Sequence, residues 1–307
     1  MSDVASVVGE ELRRVRATLA GVVVEVSLGD EHETASSGRW VNGSVPSSES
    51  LFYAASLTKQ VMGVLAGIAV DAGELRSDDS LRSWLPALPR WTESATIAQL
   101  LHHTSGLPRE LSSRTEARSA TSVMAAIKAL KEPTSPPGTR FEYSNDGYFL
   151  LAAILERAAG IPIGQLGTER VFIPLGMNSS HLSRHAHLSP AGEPAPPSTI
   201  GDGGWWTTVA DVGRLLRHLN QDPSGTRLMH TGHLLGGETV EYGWGVRVLR
   251  IGGLLAASHG GSWQRWQSKT LRIPERECAV VVAARTDDTL AVSDLGTKIA
   301  ATVSKLR

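Results

Sequence analysis

The apolar positions along the chain change period twice, and those changes divide it. Val4 to Leu19 carries apolar residues at helical spacing on one face, which predicts an amphipathic helix. The run Gly21-Val22-Val23-Val24-Glu25-Val26 and a second run ending at Trp40 flank the turn signal Gly29-Asp30, a β-hairpin. From Leu57 the apolar residues fall at Val61, Val64, Leu65, Ile68 and Ala69 with Ala, Gly and Met between them, so this helix is buried nearly all round and closes near Gly73.

The middle of the chain reads as helical. Leu75 to Leu88 is a loop and short-helix region, and Thr96 with Gln99 makes a capping box for a short helix through His102. Thr104 to Pro108 ends that helix as a tight turn. Helical patterns recur at Ser122 to Lys131, Tyr148 to Ala159 and Val209 to Asn220. Ser189 to Ser198 is proline-rich and reads as a surface loop or lid.

From Tyr242 the period returns to that of strands. Gly243 to Ile251 and Leu254 to Ser258 meet at Gly252-Gly253, and Gln267 to Ile273 pairs with Cys278 to Arg285 across Pro274-Glu275-Arg276. A last amphipathic helix runs from about Thr289 to Leu306. Strands at both ends with helices between them predict an α+β fold. Residues 1–55 plus 236–307 would form an antiparallel sheet flanked by the terminal helices, and 56–235 an inserted helical domain across a cleft.

Composition narrows the function. The 307 residues are 41% hydrophobic with a formal net charge of −1 and no basic or acidic run, which leaves no electrostatic footprint for nucleic acid or an anionic membrane. The one cysteine, Cys278, lies in an apolar run, so no disulfide framework or zinc knuckle forms within the chain. The charged N-terminal stretch and the lack of an apolar run of about 18 residues point to a cytoplasmic protein without a membrane span. The expected partner is a small molecule; composition says nothing of oligomeric state.

Chemistry concentrates in Phe52 to Val61, where Ser56 and Lys59 stand at i and i+3 at the start of the buried helix, with Gly63 leaving room beside them. Burial disfavours an ammonium, so Lys59 could take the Ser56 proton or hold a partner base deprotonated. An N-cap serine with a lysine reaching to solvent is the plain alternative. Two further stretches bear on that choice. Pro136 to Asn145 puts Tyr143 and Asn145 two apart on a glycine-proline loop, and His259-Gly260-Gly261-Ser262 sits at a strand end, where missing side chains let a substrate lie against the backbone.

In this order and spacing, S-x-x-K at Ser56, Y-x-N at Tyr143 and H-x-G at His259 resemble the three motifs of the serine β-lactamase and penicillin-recognising family. The branch that it most resembles holds class C β-lactamases, family VIII esterases, D-aminopeptidases and D-alanyl-D-alanine peptidases. His102 to Pro108, Pro174 to Met177 and Gly201 to Trp205 add to the likeness, which runs from about Gly21 to the C-terminus. The resemblance implies Ser56 as acyl-accepting nucleophile, Lys59 as its activator and Tyr143 as the general base that later protonates the leaving group. It implies Asn145 as a hydrogen-bonding partner of the acyl side chain. The backbone N–H groups of Ser56 and Ser262 would form the oxyanion hole.

Two departures matter. Relatives usually carry K-T-G where this chain has His259-Gly260-Gly261, which weakens the grip on a substrate carboxylate and favours substrates lacking that anion. Arg265 stands where relatives often have glycine; it could narrow the cleft, bind an acidic group or face solvent. Trp205 and Trp263, with Trp206, Trp244 and Trp266, could line an acyl or leaving-group pocket or pack in the core. His181, His185 and His187 lack an acidic partner at ligand spacing, so neither metal nor cofactor is expected, and His103 reads as structural.

The resulting expectation is a serine hydrolase cleaving a small ester or amide through an acyl-enzyme. An acyltransferase, a β-lactamase or D-Ala peptidase using the same site, and a non-catalytic binding module are the alternatives.

Overall fold

The computed structural model describes residues 2–16, 18–40, 42–111, 119–183 and 196–306. The chain opens with α1 (Asp3–Val15) and the hairpin β1 (Gly21–Leu28) and β2 (Glu31–Gly38). Next come the short β3 (Phe52–Tyr53) and α2 (Thr58–Asp71), then α3 (Leu81–Trp84), α4 (Ile97–Leu101), α5 (Ala120–Ala129), α6 (Asn145–Ala159) and α7 (Ile163–Gly167). The short strands β4 (His181–Leu182) and β5 (Trp205–Thr207) precede α8 (Val209–Gln221) and α9 (Pro223–Leu228). After the small ribbon β6 (Gly232–His233) and β7 (Thr239–Val240), the chain ends in β8 (Arg247–Ile251), β9 (Leu254–Trp263), β10 (Trp266–Ile273), β11 (Cys278–Arg285) and α10 (Thr289–Val303).

The main sheet has the order β2-β1-β11-β10-β9-β8, and every pair in it is antiparallel. The two termini thus meet in its middle, where Val24 faces Val282 across β1 and β11. Those two strands are buried along their whole length because both faces are covered. Val22, Val24, Val26 and Leu28 pack with Val4, Val8 and Leu12 of α1 and Leu295 and Ile299 of α10. The alternate residues Val23, Val281 and Ala283 join Val212, Leu215 and Leu216 of α8 in the larger core, which continues through α2, α4 and α6. Period-two alternation with a layer on each side yields these near-continuous apolar runs.

Glu25 interrupts the inner face and stays buried because Thr34 donates to it and Arg217 pairs with it at 2.9 Å. Arg272, also buried, spends its guanidinium on the carbonyls of Leu219 and Gly225. Both are structural. No single helix among the described residues is long and apolar enough to cross a membrane.

The edges of several elements differ from those the pattern predicts. The first helix ends at Val15 rather than Leu19, and the hairpin's second strand at Gly38. Residues 243–246 are not strand: Gly243, Trp244 and Gly245 press their backbone against neighbouring elements, and a Cβ at Gly245 would lie 2.1 Å from the Lys59 carbonyl oxygen. Strand β9 continues past Ser258 to Trp263, because β10 pairs with it as far as Trp266 opposite Trp263. Of Ser189 to Ser198, residues 189–195 lie outside the described residues, as do His185 and His187.

Candidate active site

The Ser56 position begins with a strained turn. Ala55 adopts φ +47°, a left-handed conformation that costs an alanine energy, and the 3-10 turn Ala55–Leu57 delivers the chain into α2. Thr58 locks this geometry by donating to the Ala55 carbonyl at 2.6 Å while accepting from Trp205 N–H at 3.3 Å. Ser56 thereby reaches two cavities at once. Lys59, one helical turn on, is fully buried.

The lysine's surroundings explain how it stays there. Its Nζ donates to Asn145 Oδ1 at 2.9 Å, to the Asp202 carbonyl at 2.9 Å and to Ser56 Oγ at 3.3 Å. Three acceptors suit the three N–H bonds of an ammonium, so the group is desolvated but fully hydrogen-bonded. The ring of Tyr143 lies 5.0 Å from Nζ and that of Tyr148 5.5 Å. The alternative of a lysine reaching to solvent does not match this burial. Gly63 does not make room for the serine and lysine; a Cβ there would sit 2.2 Å from the Trp244 carbonyl oxygen, so that glycine lets another backbone approach α2.

The second stretch is held by the His102 to Pro108 turn. Ser144 N–H donates to His103 Nδ1 at 3.0 Å, Glu142 N–H to the His103 carbonyl at 2.8 Å and Asn145 N–H to the Arg109 carbonyl at 2.9 Å. Ser144 Oγ caps α6 and donates to the Pro108 carbonyl at 2.7 Å. The His103 ring packs against Tyr143, Tyr148 and Tyr242 with centroids 4.4, 5.0 and 4.5 Å away. Burial first, then the Lys59 charge, pushes its imidazole well below the usual range, so it remains neutral and can accept at Nδ1. Its role is the structural one expected.

Asn145 lines both cavities at Ser56, and its amide is also tied into the network around Lys59. Its Oδ1 accepts from Lys59 and its Nδ2 donates to Glu110, so the amide bridges an ammonium and a carboxylate. Glu110 lies with Ser56, Asn145, Tyr53 and Trp263 around the smaller cavity of ≈ 50 Å³. Burial and the charge of Asp202 raise the Tyr53 phenol above its ordinary range, and its oxygen accepts from Gly204 N–H at 3.0 Å.

The third stretch lies along β9. His259 is buried, with Nδ1 2.8 Å from the Gly260 carbonyl and Nε2 2.9 Å from the Tyr242 hydroxyl. A carbonyl only accepts, so Nδ1 carries the hydrogen and Nε2 accepts from Tyr242. Burial, then the Lys59 charge, lowers the imidazole to about 3, which keeps it neutral. Gly261 faces the nucleophile's turn: a Cβ there would lie 2.2 Å from the Ala54 carbonyl oxygen. At Gly260 the nearest atom to such a Cβ is 3.7 Å away. Strand β8 leaves β9 at Ser258, so His259 to Trp263 form a free edge beside Ser56.

Ser56, Tyr143, Asn145, His259, Gly260, Gly261 and Ser262 all line one cavity of ≈ 380 Å³. Three of its other lining residues, Arg109, Arg247 and Lys269, are cations, and none is an acid. The expectation of a cleft poor at holding an anion considered only the His-Gly-Gly stretch; these cations come from the loop before α5 and from β8 and β10, outside any motif. A larger groove of ≈ 480 Å³ between α5 and α6 is mostly apolar and holds no part of this cluster.

Three sequence expectations part from the structure. Trp205 is fully buried and stacks on Phe172 at 6.2 Å, so it is core rather than pocket wall. Arg265 is exposed, pairs with Asp287 at 3.5 Å and lines neither cavity at Ser56. Trp206 and Trp266 pack edge to face in the core, whereas Trp263 does reach the smaller cavity. Among the described residues no group of His, Cys, Asp or Glu is arranged to hold a metal.

The family model described as Beta-lactamase matches residues 13–303. The chain belongs to the β-lactamase family. Among curated relatives it is 26% identical over 285 residues to penicillin-binding protein 4* of Bacillus subtilis (strain 168), covering 79% of this chain and 62% of that one. To penicillin-binding protein 4 of Amycolatopsis lactamdurans it is 31% identical, covering 66% and 60%. The chain thus spans about three fifths of these relatives' length. A solved structure, the β-lactamase/D-alanine carboxypeptidase of Yersinia pestis, superposes with a TM-score of 0.84 at 22% identity over 99% of both chains. The α+β architecture with its antiparallel sheet is therefore that of the β-lactamase family.

Proposed function

We propose that the protein is a serine hydrolase that opens an ester or amide of a small molecule through an acyl-enzyme on Ser56. The observation that carries this reading is the Lys59 Nζ, buried and 3.3 Å from Ser56 Oγ, with its other donors fixed on Asn145 and Asp202. An ammonium held there stabilises the serine oxygen as its proton leaves. Tyr143, in the same cavity, is the group assigned to accept that proton.

The steps balance as follows. Ser56 Oγ bonds to the carbonyl carbon while its proton passes to the Tyr143 oxygen, which enters this step deprotonated, and the carbonyl oxygen becomes an oxyanion facing the N–H groups of Ser56 and Ser262. Collapse expels the leaving oxygen or nitrogen, which takes the proton from Tyr143. Water then attacks the acyl-enzyme, giving its proton to Tyr143, and the acid departs as Ser56 is reprotonated. Neutral His259 positions the strand and carries no charge to the substrate.

The three cations support a substrate with an anionic group on the leaving side of the scissile bond, a class to which a substrate of the Yersinia pestis neighbour, a β-lactamase/D-alanine carboxypeptidase, would belong. The test is mass spectrometry after incubation with a fluorophosphonate, together with turnover of an activated aryl ester. The expected result is one adduct on Ser56, free acid as the product, and loss of both adduct and turnover in Ser56→Ala. Undiminished turnover in Ser56→Ala would overturn the assignment.

A further inference from the structure

One cation suffices to hold one carboxylate, yet the cavity at Ser56 has three and no acidic lining residue. Among the described residues none of the three forms an ion pair. The nearby acids are engaged or turned elsewhere: Asp287 pairs with Arg265, Asp288 caps α10 at Ala291 N–H, and Asp294 is exposed. Glu110, bound to Asn145, belongs to the smaller cavity.

The placement of Lys269 separates it from the arginines. It stands directly across from Gly260 in the β9–β10 pairing, and cross-strand partners project to the same face of a sheet. Gly260 projects nothing, so the space in front of Lys269, on the α10 face and opposite the one that Gly261 turns to Ala54, opens past the edge of β9 into the cavity that Ser56 also lines. Its aliphatic stem lies against Gly296 of α10, where a Cβ would come within 3.0 Å of Lys269 Cγ. Thr289, Val292 and Ser293 of the same helix complete that end of the cavity. Arg109, whose guanidinium lies 5.5 Å from the Tyr143 ring, and Arg247, at the start of β8, belong to other walls.

From this arrangement we propose that the cleft selects dicarboxylate leaving groups: one carboxylate between Arg109 and Arg247, the second passing over Gly260 to Lys269 beside the first turns of α10. The inference rests on the serine-hydrolase reading for its chemistry and on the cavity for its specificity. Burial, and then the charge of Arg247, depress the Lys269 ammonium from its ordinary range. A carboxylate seated there would offset both effects.

The test uses three esters of phenylacetic acid whose leaving groups are phenol, meta-hydroxybenzoate and hydroxyisophthalate, with none, one and two carboxylates. The expected kcat/KM rises at each step, the second step by about tenfold to a hundredfold. In Lys269→Met the second step disappears, and in Lys269→Arg it is kept. Ser293→Asp, which puts a carboxylate at the same end, reverses it and serves if the methionine variant does not fold. A flat wild-type series, or an unchanged second step in these variants, overturns the proposal. Calorimetry with hydroxyisophthalate and meta-hydroxybenzoate separates this from failure of the chemistry: the dicarboxylate should bind more tightly even to Ser56→Ala, and equal binding would overturn the subsite.

Discussion

Replacing Gly261 by alanine tests how closely β9 is seated against the Ser56 turn, and with it the placement of the proposed oxyanion donors. The new Cβ would start 2.2 Å from the Ala54 carbonyl oxygen and 2.3 Å from Ser268 Oγ, whereas unstrained contacts begin at about 3.5 Å. The Ser268 hydroxyl can rotate away. The Ala54 carbonyl cannot, because Ala54 N–H is bonded to the Trp205 carbonyl at 2.9 Å and Ala55 is already held at φ +47°. Strand β9 must therefore withdraw from the Ser56 turn by on the order of 1 Å, a displacement that costs about a hundredfold in rate when it separates reacting groups. Overpacking adds about 1–3 kcal/mol of lost stability. Gly260→Ala is the matched control for stability, since its nearest neighbour would be 3.7 Å away and the fold has nothing to move. The assay is turnover of an activated ester beside urea unfolding of both variants. Gly261→Ala with wild-type turnover would refute the claim that its missing side chain sets the distance between the two backbone donors.

Other expectations follow from the same network. Lys59→Met should abolish turnover and cost about 1–3 kcal/mol in urea unfolding, because Asn145 Oδ1 and the Asp202 carbonyl lose their buried donor. Stability should fall with acid below about pH 6.5: an unfolded His259 binds a proton there and the folded one not until about 3, so the unfolded state holds more protons across that window, at about 1.4 kcal/mol per pH unit. His259→Phe should reduce the slope across that window by about 1.4 kcal/mol per pH unit, leaving the share that His103 contributes. Cys278, buried with its thiol pushed up to about 12, should resist an aromatic disulfide reagent until the protein unfolds; immediate labelling of the native protein would contradict its burial.

The parts that the sequence disclosed are those with a local cause. The all-buried period of β11, the capping box of α4 and the spacing of Ser56 and Lys59 are each written in neighbouring residues. What stayed hidden depends on partners far along the chain. Nothing near Arg109, Arg247 or Lys269 marks them as members of one cavity; only the β8–β9–β10 register and the loop before α5 bring them together. Trp205 shows the converse, since its nearness in sequence to the Gly201 to Gly204 stretch suggested a pocket wall, and its stacking on Phe172 makes it core. Gly63, read as making room for Ser56 and Lys59, instead admits the Trp244 carbonyl, because a glycine announces that something comes close and does not say what.

The site's rigidity has its source in contacts of backbone with backbone. Gly261 lets β9 meet the Ala54 carbonyl, Gly245 lets the segment before β8 meet the Lys59 carbonyl, and Gly63 admits the Trp244 carbonyl against α2. Three remote parts of the chain are thereby pressed onto the turn that carries Ser56. Side chains then complete what the backbone has positioned: Gln60 Nε2 reaches Thr270 Oγ1 at 3.0 Å, and Thr270 in turn donates to the His259 carbonyl. A buried ammonium needs acceptors that do not relax away from it, and two of those at Lys59 are a backbone carbonyl and an amide pinned at its far end by Glu110. Its charge, met only by neutral acceptors within hydrogen-bonding reach, is felt by both His103 and His259, which respond by staying neutral. With Lys59 Nζ 3.3 Å from Ser56 Oγ, that charge stands where the proposed acyl transfer would develop negative charge on oxygen.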